Sequence, residues 1–494
     1  MNSTLEKWIV RLRYLGALAW VFAFIALIPL VLLPFLPEVD ISLSSVLPFL
    51  TASIVSLSLG AAANRSLKLK PLTGNGAVLV VTLSWFLVSA IGAVPFMVEL
   101  NLGFIDAFFE SSSGFTTTGI TILTNLDELP KTLLFWRSLT QWIGGLGILT
   151  FFSVLVFKGE ASHKLYGAES HKVISERPAP GLFSTLKILW SIYSFFTLAI
   201  FSALLVEGVG WFDSINHAMT TLSTGGFTPH VACVDYFRQA GFANYRLIEY
   251  TLMFGMALGG ISFVFHYRIL RGKLSALWDS IEIRLFWKIV GGATLLVLLN
   301  HIWVHGITET LSAFRYSLFQ VLSLLTSTGF GTKDIGSNYF PAMAKQVFLV
   351  LMVVGGMVGS TAGGFKIFRI GVLGKALKRQ LRKTVNPRRA VNPLIVDGKR
   401  VPQEEIGRIS ALFFAWGGFI LVGGMITAFF SSYSPLVAFS GMFSALGNIG
   451  PTFIPLQELP ELHPLIKITY SIGMLAGRLE ILPLLLLLSP RAWR

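Results

Sequence analysis

Four short polar stretches interrupt an otherwise apolar chain, and their residue types are suited to holding a dehydrated cation. They occupy 111–121, 221–227, 325–330 and 445–451, and each combines hydroxyl or amide side chains with glycine. Main-chain carbonyls and hydroxyl groups can replace the water around a cation without adding a fixed charge that would trap it. Glycine permits backbone conformations in which successive carbonyls turn toward one axis, because it has no Cβ.

The number and spacing of these stretches indicate a pore. A single copy would fit an ordinary turn or a small-residue packing site between helices. Their glycines, Gly119, Gly225, Gly329 and Gly450, are separated by roughly a hundred residues, which is far too long a period for a solenoid. Each stretch follows a short amphipathic segment. We therefore predict four pseudo-repeats on one chain, each supplying one quarter of a ring of oxygens.

The composition places these repeats in a membrane. The chain has 494 residues, of which 53% are hydrophobic and 13% are charged, whereas soluble proteins carry about 25% charged residues. Many segments reach the roughly 20 apolar residues that a helix needs to cross the hydrocarbon core. The net charge of +14 comes from basic residues in alternate loops, which indicates membrane topology rather than nucleic-acid binding.

This charge pattern predicts both termini in the cytoplasm and all four polar stretches on the outer side. The predicted fold is an all-α polytopic membrane protein with ten full spans and four re-entrant segments. Residues 1–72 form two extra N-terminal spans, and the repeats occupy 73–180, 181–275, 276–400 and 401–494. Each repeat is a helix, a half-helix, a polar loop and a returning helix. The half-helices are predicted at 104–113, 211–222, 308–325 and 435–446, and the returning helices at 132–157, 245–267, 344–372 and 465–488.

A glycine-rich segment interrupts the third returning helix. Five glycines fall within ten residues, and each costs a helix about 1 kcal/mol relative to alanine. Close helix packing through small residues is one explanation, and an unwound loop below the polar stretches is the other. The other returning helices have glycine pairs but no comparable predicted break. The residues of this segment that we single out are Gly355, Gly356, Gly359, Ser360, Thr361, Gly363 and Gly364.

Charged residues inside apolar segments are the remaining candidates, because a charge at that depth is costly and usually functional. Arg478 lies in the last span, and Glu480, two residues later, faces another side of the helix. Arg478 either forms a structural ion pair elsewhere or projects into the pore and opposes cations. Glu110, in the first half-helix, either braces the polar loop or concentrates cations. Asn216 and His217 are expected to pack or cap.

The loop motifs, the glycine-rich segment and Gly477-Arg478-Leu479-Glu480 together resemble the Trk/Ktr/HKT family of potassium transporters. The resemblance covers essentially the whole chain, and the two extra N-terminal spans are similar to the TrkH type of pore-forming subunit. The loop motifs that carry it are Gly114-Phe115-Thr116-Thr117-Thr118-Gly119, Ser223-Thr224-Gly225-Gly226-Phe227, Ser327-Thr328-Gly329-Phe330 and Gly447-Asn448-Ile449-Gly450-Pro451.

The resemblance implies a potassium selectivity filter in which the residues just before each filter glycine coordinate the ion. These residues are Thr117, Thr118, Ser223, Thr224, Ser327, Thr328, Asn448 and Ile449, followed by Gly119, Gly225, Gly329 and Gly450. The fourth loop departs from the Thr-Gly pattern, so its oxygens would come from the backbone alone or with Asn448. All four glycines are present, which by resemblance to plant relatives favours potassium over sodium.

The resemblance also implies how the pore is controlled and where it works. The segment 355–364 would be a gating loop, and Arg478 would be an electrostatic barrier below the filter. The chain would form a homodimer in the bacterial inner membrane, in contact with lipid. A separate cytosolic nucleotide-binding ring of the TrkA type would regulate it. Potassium is the only cofactor-like species implied, with no organic cofactor on this chain.

Two other classes of function are alternatives to a potassium pore. A proton- or sodium-coupled symporter could also use broken helices, but such transporters commonly have inverted repeats, whereas these four run in the same sense. An intramembrane enzyme would need a convergent cluster of nucleophile, acid and base or metal ligands, and none is evident in the sequence. The absence of Gly-x4-Gly-Lys-Ser/Thr argues against an ATPase on this chain, so we predict that it is not an enzyme.

Overall fold

The computed structural model confirms an all-α polytopic fold with one small β-hairpin. It describes residues 3–35, 43–63, 72, 74–147, 181–307, 310–385 and 392–493. The C-terminal part of the predicted first returning helix, after residue 147, lies outside the described residues.

Two helices precede the repeats. Helix α1 (Ser3–Ile25) continues into a 3₁₀ helix (Ile28–Phe35) and packs against α2 (Leu43–Ala63). Gly60 lies against the indole ring of Trp20, so any side chain there would collide with it. The change to 3₁₀ geometry begins beside Pro29, and Pro34 follows within it, because proline lacks the N–H that α-helical hydrogen bonding requires.

Each repeat then follows the predicted order. The opening helices are α3 (Gly74–Gly92) with α4 (Val94–Leu100), α7 (Leu182–Val206), α12 (Ile281–His305) and α16 (Gln403–Phe429). The half-helices are α5 (Phe104–Phe115), α8 (Trp211–Leu222), α13 (Thr310–Leu325) and α17 (Pro435–Gly447). The returning helices are α6 (Lys131–Gly145), α10 (Tyr245–Gly260) with α11 (Phe263–Leu270), α14 (Ala342–Val354) with α15 (Ile367–Val385), and α18 (Pro464–Leu479) with α19 (Leu482–Leu486).

Short elements complete the described chain. They are α9 (Asp235–Gln239), α20 (Pro490–Trp493), the hairpin β1 (Ile395–Val396) and β2 (Lys399–Arg400), and 3₁₀ helices at Leu126–Glu128, Leu274–Leu277 and Leu456–Glu458. The two strands pair antiparallel, with Ile395 opposite Arg400.

The half-helices are too short to cross a bilayer. They have 12, 12, 16 and 13 residues, which at 1.5 Å per residue gives about 18–24 Å against a hydrocarbon core of about 30 Å. Among the described residues, six helices are long and apolar enough to span a membrane, and a seventh candidate is a bent pair. Their outward residues include Phe195, Leu198 and Trp303, which are 57%, 59% and 88% exposed, as expected for a surface in contact with lipid.

The prediction that only the third returning helix is broken was wrong. The second bends by 103° between Gly260 and Phe263, and the fourth breaks where Glu480 and Ile481 both adopt positive φ. The third breaks at the glycine-rich segment, as predicted. The breaks in the second and fourth repeats were missed because the surrounding sequence is apolar and reads as continuous helix, and only the tertiary contacts show the turns.

Candidate selectivity filter and gate

The four polar loops share one backbone conformation. A residue just after each half-helix is left-handed, although left-handed backbone costs about 1–2 kcal/mol for residues other than glycine. Two residues later comes a glycine that is also left-handed. The first set is Thr117, Thr224, Ser327 and Asn448, with φ of 53° or 54°, and the second is Gly119, Gly226, Gly329 and Gly450, with φ of 77° to 106°.

This conformation sets the register of the second loop. Thr224-Gly225-Gly226 superposes in backbone conformation on Thr117-Thr118-Gly119. The resemblance instead predicts Ser223-Thr224-Gly225 at this position, one residue earlier. The sequence contains two adjacent glycines and permits either register, whereas the positive φ values occur at Thr224 and Gly226 and not at Gly225.

Contacts between the loops form a closed ring. A Cβ added to any of the four left-handed glycines would meet the carbonyl oxygen of a neighbouring loop, at the residue that precedes that loop's own glycine. The pairs are Gly119 with Gly225 O, Gly226 with Thr328 O, Gly329 with Ile449 O, and Gly450 with Thr118 O. The sequence of contacts runs from loop one to two, three, four and back to one. The four carbonyl oxygens therefore occupy equivalent positions in the four loops.

Hydrogen bonds within and behind the ring hold the loops in place. Gln141 donates to the Gly225 carbonyl at 2.6 Å and accepts from the Phe227 N–H at 3.0 Å. The Thr116 and Thr118 hydroxyls are 2.7 Å apart. Gln141 was not singled out from the sequence, although a polar side chain inside an apolar span was the available signal.

The fourth loop has an asparagine, Asn448, where the other three loops have a threonine or serine with positive φ. The Asn448 amide donates sideways to the Thr118 hydroxyl and to the Met474 carbonyl, both at 2.9 Å. Its nitrogen is therefore used to join the fourth loop to the first and to α18. Its oxygen, Oδ1, is buried and has no hydrogen-bond partner among the described residues, so both possibilities that the sequence leaves open, backbone alone or backbone with Asn448, stay predictions.

A vestibule lies on the glycine side of the ring. The cavity has a volume of about 480 Å³, and Gly119, Gly226, Gly329 and Gly450 all contribute to its wall. Gly225 does not line it, which agrees with the register given by the backbone. An ion entering from this side would first meet the four glycines and then Thr117, Thr224, Ser327 and Asn448.

Arg478 lies on the opposite side of the ring, at the end of α18. Its guanidinium group donates to the Gly144 and Gly145 carbonyls at 2.5 and 2.6 Å and to the Thr361 carbonyl at 2.8 Å. It also approaches the Thr117 hydroxyl at 3.4 Å. These carbonyls belong to the C-terminal end of α6 and to the glycine-rich segment. The group is thus placed directly beneath the first polar loop.

The glycine-rich segment passes beneath the second, third and fourth loops. The Thr361 hydroxyl donates to the Leu222 carbonyl at 2.9 Å and lies 3.2 Å from the Thr224 hydroxyl. The Gly363 N–H donates to the Ser327 hydroxyl at 2.5 Å. A Cβ at Gly363 would collide with the Gly447 carbonyl oxygen. Together with Arg478, this segment covers the side of the ring opposite the vestibule.

Ionic contacts anchor this covering layer to neighbouring helices. Glu282, at the start of α12, accepts from the Val358 N–H at 2.9 Å. Arg369, in the first turn of α15, forms an ion pair with Glu480. Glu480 therefore pairs across to another repeat, and the sequence expectation that it would not pair with Arg478 agrees with this contact. Among the gating candidates, Gly355, Gly359 and Gly364 have positive φ. The Gly356 carbonyl accepts from the Ile367 N–H at 3.0 Å, and the Ser360 N–H donates to the Met357 carbonyl at 3.3 Å.

Comparison with known proteins identifies the family. A model described as "TrkH: Cation transport protein" matches residues 48–493. The chain belongs to the TrkH family. It is 32% identical to a Trk system potassium uptake protein TrkH of Salmonella typhimurium over 84% of this chain and 85% of that protein. It is 31% identical to a Trk system potassium uptake protein TrkG of Escherichia coli over 97% of each.

A solved structure shows the same fold. The crystal structure of the potassium transporter TrkH from Vibrio parahaemolyticus superposes with a TM-score of 0.85 at 31% identity, covering 99% of this chain and all of that one. Membership of a family of cation transport proteins confirms the prediction that the chain is not an enzyme, and it confirms a multi-pass membrane protein.

A buried ion pair joins the first two loops of this TrkH-family chain. Arg137 Nε lies 2.9 Å from Glu110 Oε1, and both side chains are at most 1% exposed. Glu110 also accepts from the Thr121 hydroxyl and the Ile122 N–H, and Arg137 donates to the Thr228 carbonyl at 3.1 Å. These contacts fit the bracing role for Glu110. The sequence analysis did not single out Arg137, which a charge within an apolar span could have indicated.

We expect Arg137→Met to destabilise the protein by about 3–5 kcal/mol, because removal of one partner leaves a buried uncompensated charge on Glu110. Thermal unfolding of the detergent-purified protein measures this effect. The matched control is Arg238→Met, since Arg238 pairs with Asp235 at 2.7 Å but is 37% exposed, and exposed pairs contribute about 0–1 kcal/mol. Equal losses in the two variants would contradict a special role for the buried pair.

A histidine joins two aspartates beside the vestibule. His230 Nδ1 lies 2.6 Å from Asp127 and its Nε2 lies 3.3 Å from Asp213, while its ring stacks on Tyr236. Burial alone would lower the pKa of His230, but the hydrogen bonds to Asp213 and Asp127 outweigh burial and raise the pKa above its ordinary value. The charged histidine therefore ties the loop after the first half-helix to the second repeat.

A raised folded-state pKa makes this contact pH-dependent. Its contribution to stability is fully present below the unfolded histidine pKa of about 6.5 and is lost as the pH rises through the folded-state pKa of His230. We expect His230→Gln to flatten this part of the dependence of thermal stability on pH. An unchanged profile in the variant would show that another group is responsible. The matched control is His305→Gln, whose histidine lies at the end of α12.

Proposed function

We propose that this chain conducts potassium into the cell through the ring formed by the four polar loops. The closed sequence of contacts between each glycine and the next carbonyl carries this proposal, because it gives four equivalent backbone oxygens around one axis. The relatives reported above are named as potassium uptake proteins. The proposed ion ligands are the backbone oxygens of Thr117, Thr118, Thr224, Gly225, Ser327, Thr328, Asn448 and Ile449, with Ser223 one position outside the ring.

The gate in this proposal is the layer beneath the ring. Thr361 and Gly363 contact the second, third and fourth loops, and Arg478 lies below the first loop. Conduction would require the segment 355–364 to withdraw, which its glycines make possible because they allow alternative backbone conformations at low cost. The arginine charge would oppose a cation leaving the ring on this side.

The remaining parts of the proposal concern orientation and partners. Basic residues along α15 and at the start of α1 support cytoplasmic termini under the positive-inside bias, so the vestibule would face outward from a bacterial inner membrane. The family resemblance supports a homodimer and a cytosolic nucleotide-binding ring of the TrkA type. Such a ring could act on the gate through α15, which begins immediately after the gating segment.

Flux into proteoliposomes tests the function. Purified protein is reconstituted into vesicles with an inside-negative potential that an inward gradient of a membrane-permeant anion sets up, with no proton gradient, and uptake is followed with either potassium or sodium as the sole external alkali cation. The proposal predicts potassium uptake driven by the potential, which is worth about 2.3 kcal/mol per charge per 100 mV. Uptake that requires an added sodium or proton gradient would favour the coupled symporter instead. Protein-free vesicles are the control.

A further inference from the structure

A basic pocket lies beside the C-terminal half of α15, away from the ion pathway. Its volume is about 480 Å³, and it is lined by Lys375, Lys378, Arg379 and Arg382 on one side and by residues 392–395 on the other. The four basic residues are spaced i, i+3, i+4 and i+7, so they share one face of the helix. Four cations around one pocket repel each other, so a bound anion would stabilise the arrangement.

The walls of this pocket are held in place by other contacts. Lys375 Nζ donates to the Ile395 carbonyl at 2.8 Å, which joins the helix to the β-hairpin. The hairpin turn is itself fixed, because the Asp397 carboxylate accepts from the Ile281 N–H at 2.9 Å. The Val401 N–H donates to the Leu394 carbonyl at 2.9 Å. The pocket is therefore a preformed cleft between a helix and an anchored hairpin.

One side chain in the cleft has unused hydrogen-bonding capacity. Arg379 Nη2 donates to Gln403 at 2.8 Å. Its Nε is shielded from solvent and has no hydrogen-bond acceptor among the described residues. A shielded donor without an acceptor is costly. An oxygen of a phosphate group is the type of acceptor that guanidinium groups bind best, and it would also face the ammonium of Lys378.

An exposed apolar stripe runs along the neighbouring face of the same helix. Leu377, Leu381 and Val385 follow one another at intervals of four residues and are 65%, 63% and 86% exposed. A helix with a basic face beside an exposed apolar face is typical of segments that lie in the membrane interface. The stripe would contact acyl chains, while the basic pocket holds the headgroup of the same lipid.

We propose that this pocket binds the phosphate-bearing headgroup of an anionic lipid in the cytoplasmic leaflet. The apolar stripe favours a lipid over a soluble phosphate compound, since a soluble anion would make no use of it. The site is separate from the ion pathway, and its helix begins at the end of the glycine-rich segment. An occupied pocket would join α15 to the β-hairpin more firmly than the single Lys375 contact does.

The test compares lipids on the purified full-length protein. Phosphatidylglycerol, phosphatidylcholine or inorganic tripolyphosphate is added in detergent, and lipid retention is followed by native mass spectrometry alongside thermal unfolding. Phosphatidylglycerol is expected to be retained and to raise the Tm by several degrees. The variant Lys378→Gln/Arg382→Gln is expected to bind it about tenfold or more weakly, since each basic residue contributes about 1 kcal/mol near an anionic surface.

The matched control removes two charges from the nearby hairpin. Lys399→Gln/Arg400→Gln changes exposed residues outside the pocket and should bind phosphatidylglycerol as the unmodified protein does. Equal losses in both variants, or equal retention of phosphatidylcholine, would overturn the proposal. Stabilisation by tripolyphosphate equal to that by phosphatidylglycerol would overturn it in favour of a soluble anion. If the double variant unfolds during purification, Lys378→Gln alone gives the same comparison, because Lys378 is exposed.

Discussion

Alanine at Gly226 is expected to reduce potassium uptake by more than about tenfold. The residue is left-handed, with φ of 77°, and this conformation costs an alanine about 1–2 kcal/mol. The added Cβ would also collide with the Thr328 carbonyl oxygen of the next loop. Since that neighbour is backbone, relief of the collision would displace a proposed ion ligand. Uptake into proteoliposomes, normalised to the amount of folded protein, measures the loss.

The adjacent glycine supplies the matched control. Gly225 does not have a positive φ, and a Cβ there would meet the Gln141 side chain rather than a carbonyl of another loop. Gly225→Ala should therefore reduce uptake less than Gly226→Ala, because a side chain can move more easily than a backbone ring. A larger loss in Gly225→Ala would restore the register expected from the sequence. The same comparison also reports potassium-over-sodium selection if both ions are measured.

Removal of the arginine beneath the ring is expected to have the opposite effect, an increase in potassium flux. The Arg478 guanidinium lies 3.4 Å from the hydroxyl of Thr117, a residue of the proposed ion site, and its charge repels a cation there. Since each removal of about 1.36 kcal/mol from a barrier is tenfold in rate, Arg478→Ala should raise flux by about tenfold or more. The variant also loses the donors to the Thr361, Gly144 and Gly145 carbonyls, which loosens the covering layer. Loss of the charge and loss of these hydrogen bonds are both expected to raise potassium flux.

Two further variants separate these causes. Arg478→Lys keeps the charge and should conduct nearly as the unmodified protein does, whereas Arg478→Gln keeps a donor but removes the charge and should conduct more. If the charge is the barrier, the potassium flux of Arg478→Gln should match that of Arg478→Ala. If the hydrogen bonds are the barrier, it should match that of Arg478→Lys. Unchanged or reduced flux in Arg478→Ala, with normal expression and thermal stability, would exclude a barrier at this residue.

Much of the architecture could be predicted from the sequence. The half-helices begin and end within a few residues of the predicted bounds, because each lies between a long apolar segment and a polar, glycine-containing loop. The break at 355–364 was predicted for the same kind of local reason, since five glycines in ten residues cannot sustain a helix. These features depend on residue types that act over a few neighbouring positions.

Other features depended on contacts between distant residues. Residues 225 and 226 are both glycine, so the local sequence does not show which of them has a positive φ. Their contacts with Gln141 and Thr328 in the folded chain determine this. The breaks of the second and fourth returning helices occur at Ser262 and at Glu480. At the first of these breaks, the Phe263 N–H donates a hydrogen bond to the Gly359 carbonyl of the segment 355–364.

The sequence by itself determined that this chain spans a membrane and that four polar loops recur along it. Hydropathy, charge bias and glycine content are local properties that can be counted along the chain. Only the tertiary structure decided which carbonyl of each loop faces the next and which groups cover the ring. It also decided that Arg478 is held by carbonyls of α6 and the glycine-rich segment. The ring and its cover are made by residues tens to hundreds of positions apart, and local sequence does not specify how these meet.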